Sequence, residues 1–135
     1  MAEIKLEIVT PEKRVFDETV DSVTVPTATG EVGILPNHVP LISSLKSGVL
    51  SFSNKGANEK MVVSGGFVEV STNKVSVLTD IAETAEEIDV EAAKAERDAA
   101  EKALTGNWSG TEEEFEAEKE RLERAQARLS LAAGR

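Results

Sequence analysis

A compositional break after Thr84 constrains this 135-residue chain more than any other feature. Fourteen of its fifteen Val and all four Pro precede the break, whereas twelve of its sixteen Ala follow it. β-Branched residues punctuated by Pro and Gly favour strands and turns, while Ala mixed with Glu, Lys and Arg favours helix. The chain therefore divides into a β unit, residues 1–84, and a helical unit, residues 85–135. Its length suits one ordinary domain, or a small domain with an appendage.

Within the first unit, Ile4, Leu6 and Ile8 alternate strictly until Pro11, and a second short strand runs through Val23 and Val25 to Pro26. Val49-Leu50-Ser51-Phe52 and Met61-Val62-Val63 flank the turn-rich Asn54-Lys55-Gly56-Ala57-Asn58. Phe67-Val68-Glu69-Val70 and Val75-Ser76-Val77-Leu78 flank Ser71-Thr72-Asn73-Lys74 in the same way. Connections this short leave no room for crossover helices, so the pattern predicts an antiparallel sandwich or small barrel.

The second unit predicts two helices. The first starts at about Asp89, a suitable N-cap, and runs to about Leu104, after which Thr105-Gly106-Asn107-Trp108-Ser109-Gly110 breaks the pattern. Thr111 and Glu114 form a capping-box pair, and Glu112, Glu113 and Glu114 complement the helix dipole. A short connection makes the helices antiparallel neighbours, with Val90, Ala93, Ala100 and Leu104 facing Phe115, Leu122, Ala125 and Leu129. Three of those eight seam residues are Ala, whose methyl is worth ~0.8 kcal/mol on burial against ~1.5–3 kcal/mol for Leu, so the hairpin can leave the sandwich without unfolding it.

Several chemistries are closed to this sequence. Without Cys and with His38 as its one His, it supports neither a thiolate nor a His-rich metal centre. His38, between Pro36 and Pro40, reads as a loop contact; Ser43, Ser44 and Ser64 sit in no nucleophile elbow. Gly30-Glu31-Val32-Gly33 and Gly65-Gly66 lack the Lys-Ser/Thr of a phosphate loop. The acidic run from Glu112 to Glu120 has the spacing of a solvated helix face. Twenty-five acids against fifteen bases give a net charge of −10, which opposes nucleic acid, and no apolar stretch approaches the ~20 residues of a membrane span. Against that background Arg121, Arg124, Arg128 and Arg135 line one stripe of the last helix, a geometry suited to an acidic partner.

The string Gly30-Glu31-Val32-Gly33-Ile34-Leu35-Pro36-Asn37-His38-Val39-Pro40-Leu41 resembles the epsilon subunit of F-type ATP synthases. So do Ser64-Gly65-Gly66-Phe67-Val68-Glu69-Val70, Ala85-Glu86-Glu87-Ile88-Asp89 and the closing Arg124-Ala125-Gln126-Ala127-Arg128-Leu129-Ser130. The resemblance spans essentially the whole chain. It implies an antiparallel ten-stranded β-sandwich followed by an α-helical hairpin, in a subunit with no catalytic residues of its own.

In that family the sandwich grips the gamma subunit and rests on the c ring, and the three rotate together in the proton-transporting synthase. By motif, Gly30, Glu31, Val32 and Gly33 form the loop facing the c ring, and His38 lies near the gamma contact. The hairpin either folds onto the sandwich or extends towards the alpha and beta subunits and impedes ATP hydrolysis. Arg121, Arg124, Arg128 and Arg135 would then meet acidic segments of beta.

Some members also bind ATP through an Ile/Leu-Asp-x-x-Arg-Ala motif and two later arginines, matched here by Arg124 and Arg128. Counting back without gaps places Glu113 to Glu118 across the motif, with Ala117 at its Arg, and the negative surroundings argue against a tight ATP site; no cofactor or metal is expected. The location implied is peripheral, at the cytoplasmic face of a bacterial membrane or the stromal face of a thylakoid. A nucleotide-sensing module and a small hydrolase using His38 are the competing readings.

Overall fold

The structure, a computed structural model, describes residues 3–106 and 108–134; Arg135 of the arginine stripe and Asn107 of the helix break lie outside them. Ten strands come first: β1 (Ile4–Val9), β2 (Arg14–Val20), β3 (Ser22–Thr27), β4 (Gly30–Ile34), β5 (Leu41–Ser44), β6 (Gly48–Asn54), β7 (Ala57–Ser64), β8 (Phe67–Ser71), β9 (Lys74–Leu78) and β10 (Ile81–Glu83). They form two five-stranded sheets, ordered β2-β1-β9-β8-β5 and β10-β7-β6-β3-β4. The inward side chains of each sheet follow the two-residue period, so Leu6, Ile8, Val75 and Val77 of the first share one core with Val25, Leu50 and Val63 of the second. Phe16 and Phe52 meet across that core with ring centroids 4.6 Å apart.

The fold departs from the local reading in two places. β1 and β9 pair in parallel, which makes the first sheet mixed, while its other pairs are antiparallel. Strands so distant in sequence need no tight turn to join them, and no local pattern records their direction. β3 also continues through Pro26 to Thr27. Its ladder with β6 ends at Thr24, so the missing N–H of Pro26 lies beyond that ladder, where a strand proline is tolerated.

Both expected hairpins are present. Asn54 pairs with Ala57 around Lys55-Gly56, whose φ angles of 53° and 83° suit a tight two-residue turn. Ser71 pairs with Lys74 around Thr72-Asn73. The β7–β8 turn is stricter: Gly66 has φ 90°, and a Cβ there would run into the Leu78 carbonyl oxygen.

A 3₁₀ turn, Ala85–Glu87, follows the sandwich and leads to α1 (Val90–Thr105) and α2 (Glu112–Ala133). Asp89 caps α1 by accepting the Ala92 N–H at 3.1 Å, and Thr111 caps α2 by accepting the Glu114 N–H at 3.1 Å while Glu114 accepts the Thr111 N–H. Of the expected seam, Ala93, Ala100 and Ala125 are buried, and Leu104, Phe115, Leu122 and Leu129 are half-buried. Val90 packs instead with the cluster formed where α2 meets the sandwich.

That meeting explains an irregularity in β7. Its last four residues, Met61 to Ser64, are all buried, where a strand with one wet face would alternate. Met61 and Val63 point into the sandwich core, while Val62 lies on the outer face beneath Ala127, Leu131 and Ala132 of α2, with Ile88 beside them. Under the same helix, Ser47 and Ser64 share a hydrogen bond of 2.7 Å, and Thr79 accepts the Ser64 N–H at 3.2 Å. The two serine hydroxyls therefore satisfy each other, and the Thr79 hydroxyl is satisfied by backbone groups of Ser64 and Ile81.

Candidate functional site

The hairpin covers the outer face of one sheet and leaves that of the other open. In β8 the buried Val68 and Val70 send Phe67 and Glu69 outward; register then places Ile42 of β5 opposite Glu69, and Leu78 of β9 opposite Phe67. Ile42 is 71% exposed, Phe67 44% and Leu78 39%. The connection before β5 adds Leu35 at 64% and Val39 at 74%. It is held to the β8–β9 turn by the Asn37 N–H, which donates to Asn73 Oδ1 at 2.9 Å. Large exposed apolar side chains gathered on one sheet face mark an interaction surface.

His38 lies within this connection, half-buried, its Nδ1 2.6 Å from the Val39 carbonyl oxygen. A carbonyl only accepts, so Nδ1 carries the proton. Ser64 belongs to the buried hydroxyl cluster and Ser43 donates to the Ser44 carbonyl, so no serine engages the imidazole among the described residues. No group of three or more metal-ligating side chains occurs among them either.

Gly30, Glu31, Val32 and Gly33 form most of β4, an edge strand, and not a loop. The reversal lies one step earlier, at Ala28-Thr29, where the Thr27 hydroxyl donates to the Gly30 carbonyl at 2.6 Å. Glu31 is exposed and lines a groove of about 780 Å³ between the outer sheet face and the end of α2, together with Ser51, Lys60, Glu86 and Leu131.

The arginine stripe is divided by its partners. Arg121 Nε lies 3.5 Å from Glu96 of α1, and its Nη1 3.4 Å from Glu118. Arg128 donates to both oxygens of Glu83 on β10, at 2.7 and 3.2 Å, and to Glu96 at 3.0 Å. Arg124 Nε is buried and has no hydrogen-bond partner among the described residues. In this docked hairpin the two outer arginines of the described stripe thus face inward.

Beside Arg128 lies a cleft of about 220 Å³ lined by Glu83, Glu87, Asp89, Ala92 and Ala93. Its residues include a second stretch, besides Glu113 to Glu118, that can be read against the nucleotide motif. Ile88-Asp89-Val90-Glu91-Ala92-Ala93 follows the order of the Ile/Leu-Asp-x-x-Arg-Ala motif with Ala92 in place of Arg. The antiparallel hairpin lays this start of α1 against the end of α2, where Arg128 stands. Glu87 is held below the ordinary carboxylate range, first by the backbone N–H of Thr84 and then by its hydroxyl, against some opposing desolvation.

The β-sandwich model of the ATP synthase delta/epsilon chain matches residues 3–85, more than half of the sequence. The chain belongs to the ATP synthase epsilon family. The epsilon chain of Geotalea uraniireducens is 45% identical, covering 98% of this chain and 96% of that relative. That of Carboxydothermus hydrogenoformans is 56% identical, covering 67% and 68%. Among solved structures, a chain of the Euglena gracilis mitochondrial ATP synthase, determined as its OSCP, F1 and c-ring portion, superposes with a TM-score of 0.81 at 28% identity, covering 98% and 82%. One from the Tetrahymena thermophila central stalk and c-ring shares the fold, with a TM-score of 0.63 at 16% identity and 96% coverage of each chain.

Membership accounts for the fold, while the open apolar face is legible only in three dimensions. Ile42, Phe67 and Leu78 were missed as a set because they come from three strands. The signal lay in β8, where Phe67 and Glu69 share the parity opposite to the buried Val68 and Val70.

Proposed function

We propose that the chain is a noncatalytic rotor subunit of a proton-transporting F-type ATP synthase, bound peripherally at the membrane as part of the central stalk. The observation that carries this reading is the apolar face of Ile42, Phe67 and Leu78, extended by Leu35 and Val39. It suits an apolar face of gamma, with His38 at its edge. Exposed Glu31 and the strand Gly30–Gly33 suit the c ring, since an edge strand presents both charge and unpaired backbone groups. Among the described residues no helix is long and apolar enough to cross a membrane.

In the same reading the hairpin is regulatory: docked, it keeps Arg121 and Arg128 turned inward, and extended it offers them to acidic alpha and beta segments. Stoichiometric co-purification with gamma tests the rotor role, and failure to bind gamma sinks it. ATP hydrolysis by the assembled catalytic sector with and without residues 85–135 tests the regulatory one; equal rates exclude it.

The cleft beside Arg128 is what favours nucleotide sensing as a second reading. Three carboxylates, Glu83, Glu87 and Asp89, line it against one guanidinium already paired with Glu83, an arrangement that opposes a polyphosphate. We therefore propose that the chain binds ATP weakly or not at all. Calorimetry on the purified subunit decides this, with micromolar affinity restoring the sensor.

A further inference from the structure

Three elements meet at one side chain. Arg128 of α2, 18% exposed, reaches Glu83 of β10 through Nε and Nη2 and Glu96 of α1 through Nη1. The other oxygen of Glu96 lies 3.5 Å from Arg121, so the network also runs back along α2. The surrounding apolar contact is made of Val62, Ile88, Ala127, Leu131 and Ala132. Such a surface attracts but does not direct, since apolar burial is insensitive to small slides and rotations. A guanidinium fork held by two carboxylates is directional, and it fixes both the height and the rotation of the helix.

From this we propose that Arg128 is a clasp that makes two contacts one event: docking of α2 on the sandwich, and pairing of α2 with α1. Loss of the sandwich carboxylate frees the guanidinium, and the α1 carboxylate then holds a mobile partner. Loss of Glu96 similarly weakens the grip on Glu83. The exposed pair of Lys46 with Glu123, 3.1 Å apart, joins α2 to the sandwich without involving α1 and serves as the internal control. The clasp is a property of the chain alone and does not depend on the rotor reading.

Hydrogen exchange on the full-length purified chain tests it, comparing peptides of α1, of α2 and of β1, β6 and β7. Glu83→Gln is expected to speed exchange about fivefold or more in α1 as well as α2, with the three strands unchanged, since a factor of 5–30 corresponds to one or two kcal/mol. The Glu83→Gln/Glu96→Gln double variant should exchange little faster than either single variant, because each breaks the same clasp. Arg128→Lys keeps the charge, loses the fork and should behave like Glu83→Gln, whereas Lys46→Gln should leave α1 unaffected. The proposal is overturned if Glu83→Gln changes nothing, acts on α2 alone or accelerates the strands equally. It is likewise overturned if the two Gln effects multiply independently or if Arg128→Lys retains full protection.

Discussion

The two outer sheet faces of this molecule solve opposite problems with similar strands. One is covered by the chain's own α2, through small side chains such as Ala127 and Ala132 set over Val62. The other carries Ile42, Phe67 and Leu78 and has no cover among the described residues. Each large side chain is worth ~1.5–3 kcal/mol when buried, against ~0.8 kcal/mol for an Ala methyl. The covered seat also holds Val62, Ile88 and Leu131, so its apolar content is committed to the chain's own helix, whereas the bare face keeps its own open to a partner. On the covered side directional ion pairs from Arg128 and Lys46 supplement the apolar seat.

The comparison can be broken at the turn that joins the faces. Gly66→Ala drives a Cβ into the Leu78 carbonyl at a positive φ, and should destabilise the sandwich by about 3 kcal/mol or more, read from urea unfolding. Phe67→Asp sharpens it from the bare side: on the proposed rotor reading, affinity for gamma should fall about a hundredfold while the unfolding midpoint hardly moves, because the residue is a hot-spot candidate outside the core. Equal losses of binding and stability would refute that separation. From the covered side, Leu131→Ala should weaken hairpin docking by about 2 kcal/mol, seen as faster exchange in α2 with the sandwich unchanged.

The smallest effect concerns the joint between the two units. Thr84 donates its N–H and hydroxyl to Glu87 at 3.0 and 2.9 Å, which lowers the carboxyl pKa. A carboxylate depressed on folding contributes stability above its ordinary titration range and loses it as pH falls through the folded value. Protection of the Thr84 amide should therefore decline with acid, and Glu87→Gln should remove that pH dependence.

Local signals in the sequence went far in the strands and helices and stopped at their assembly. Alternation located β1, β8 and β9, and caps at Asp89 and Thr111 located both helices, because each depends on neighbours a few residues away. The parallel register of β1 with β9 depends on residues about seventy positions apart and leaves no local trace. The apolar run Met61-Val62-Val63 marks a strand, but nothing local in it names Ala127, Leu131 and Ala132 as the outer cover of Val62. Arg128 stood in the stripe from the start, yet its partners Glu83 and Glu96 are separated from it by the hairpin and the last strand. Spacing reveals a shared helix face; only the fold reveals what that face meets.

The open apolar face also bears on the life of the chain before assembly. Ile42 stands on β5, an edge strand with no further strand beyond it, where the Ser44 carbonyl accepts the Ala28 N–H but the backbone around Ile42 meets no further strand of its sheet, the combination through which identical copies adhere. A net charge of −10 sets those copies repelling one another over a distance of about 8 Å at physiological ionic strength. The acidity of this small chain thus serves as its solubility guard, keeping a sticky surface available until the intended neighbour arrives.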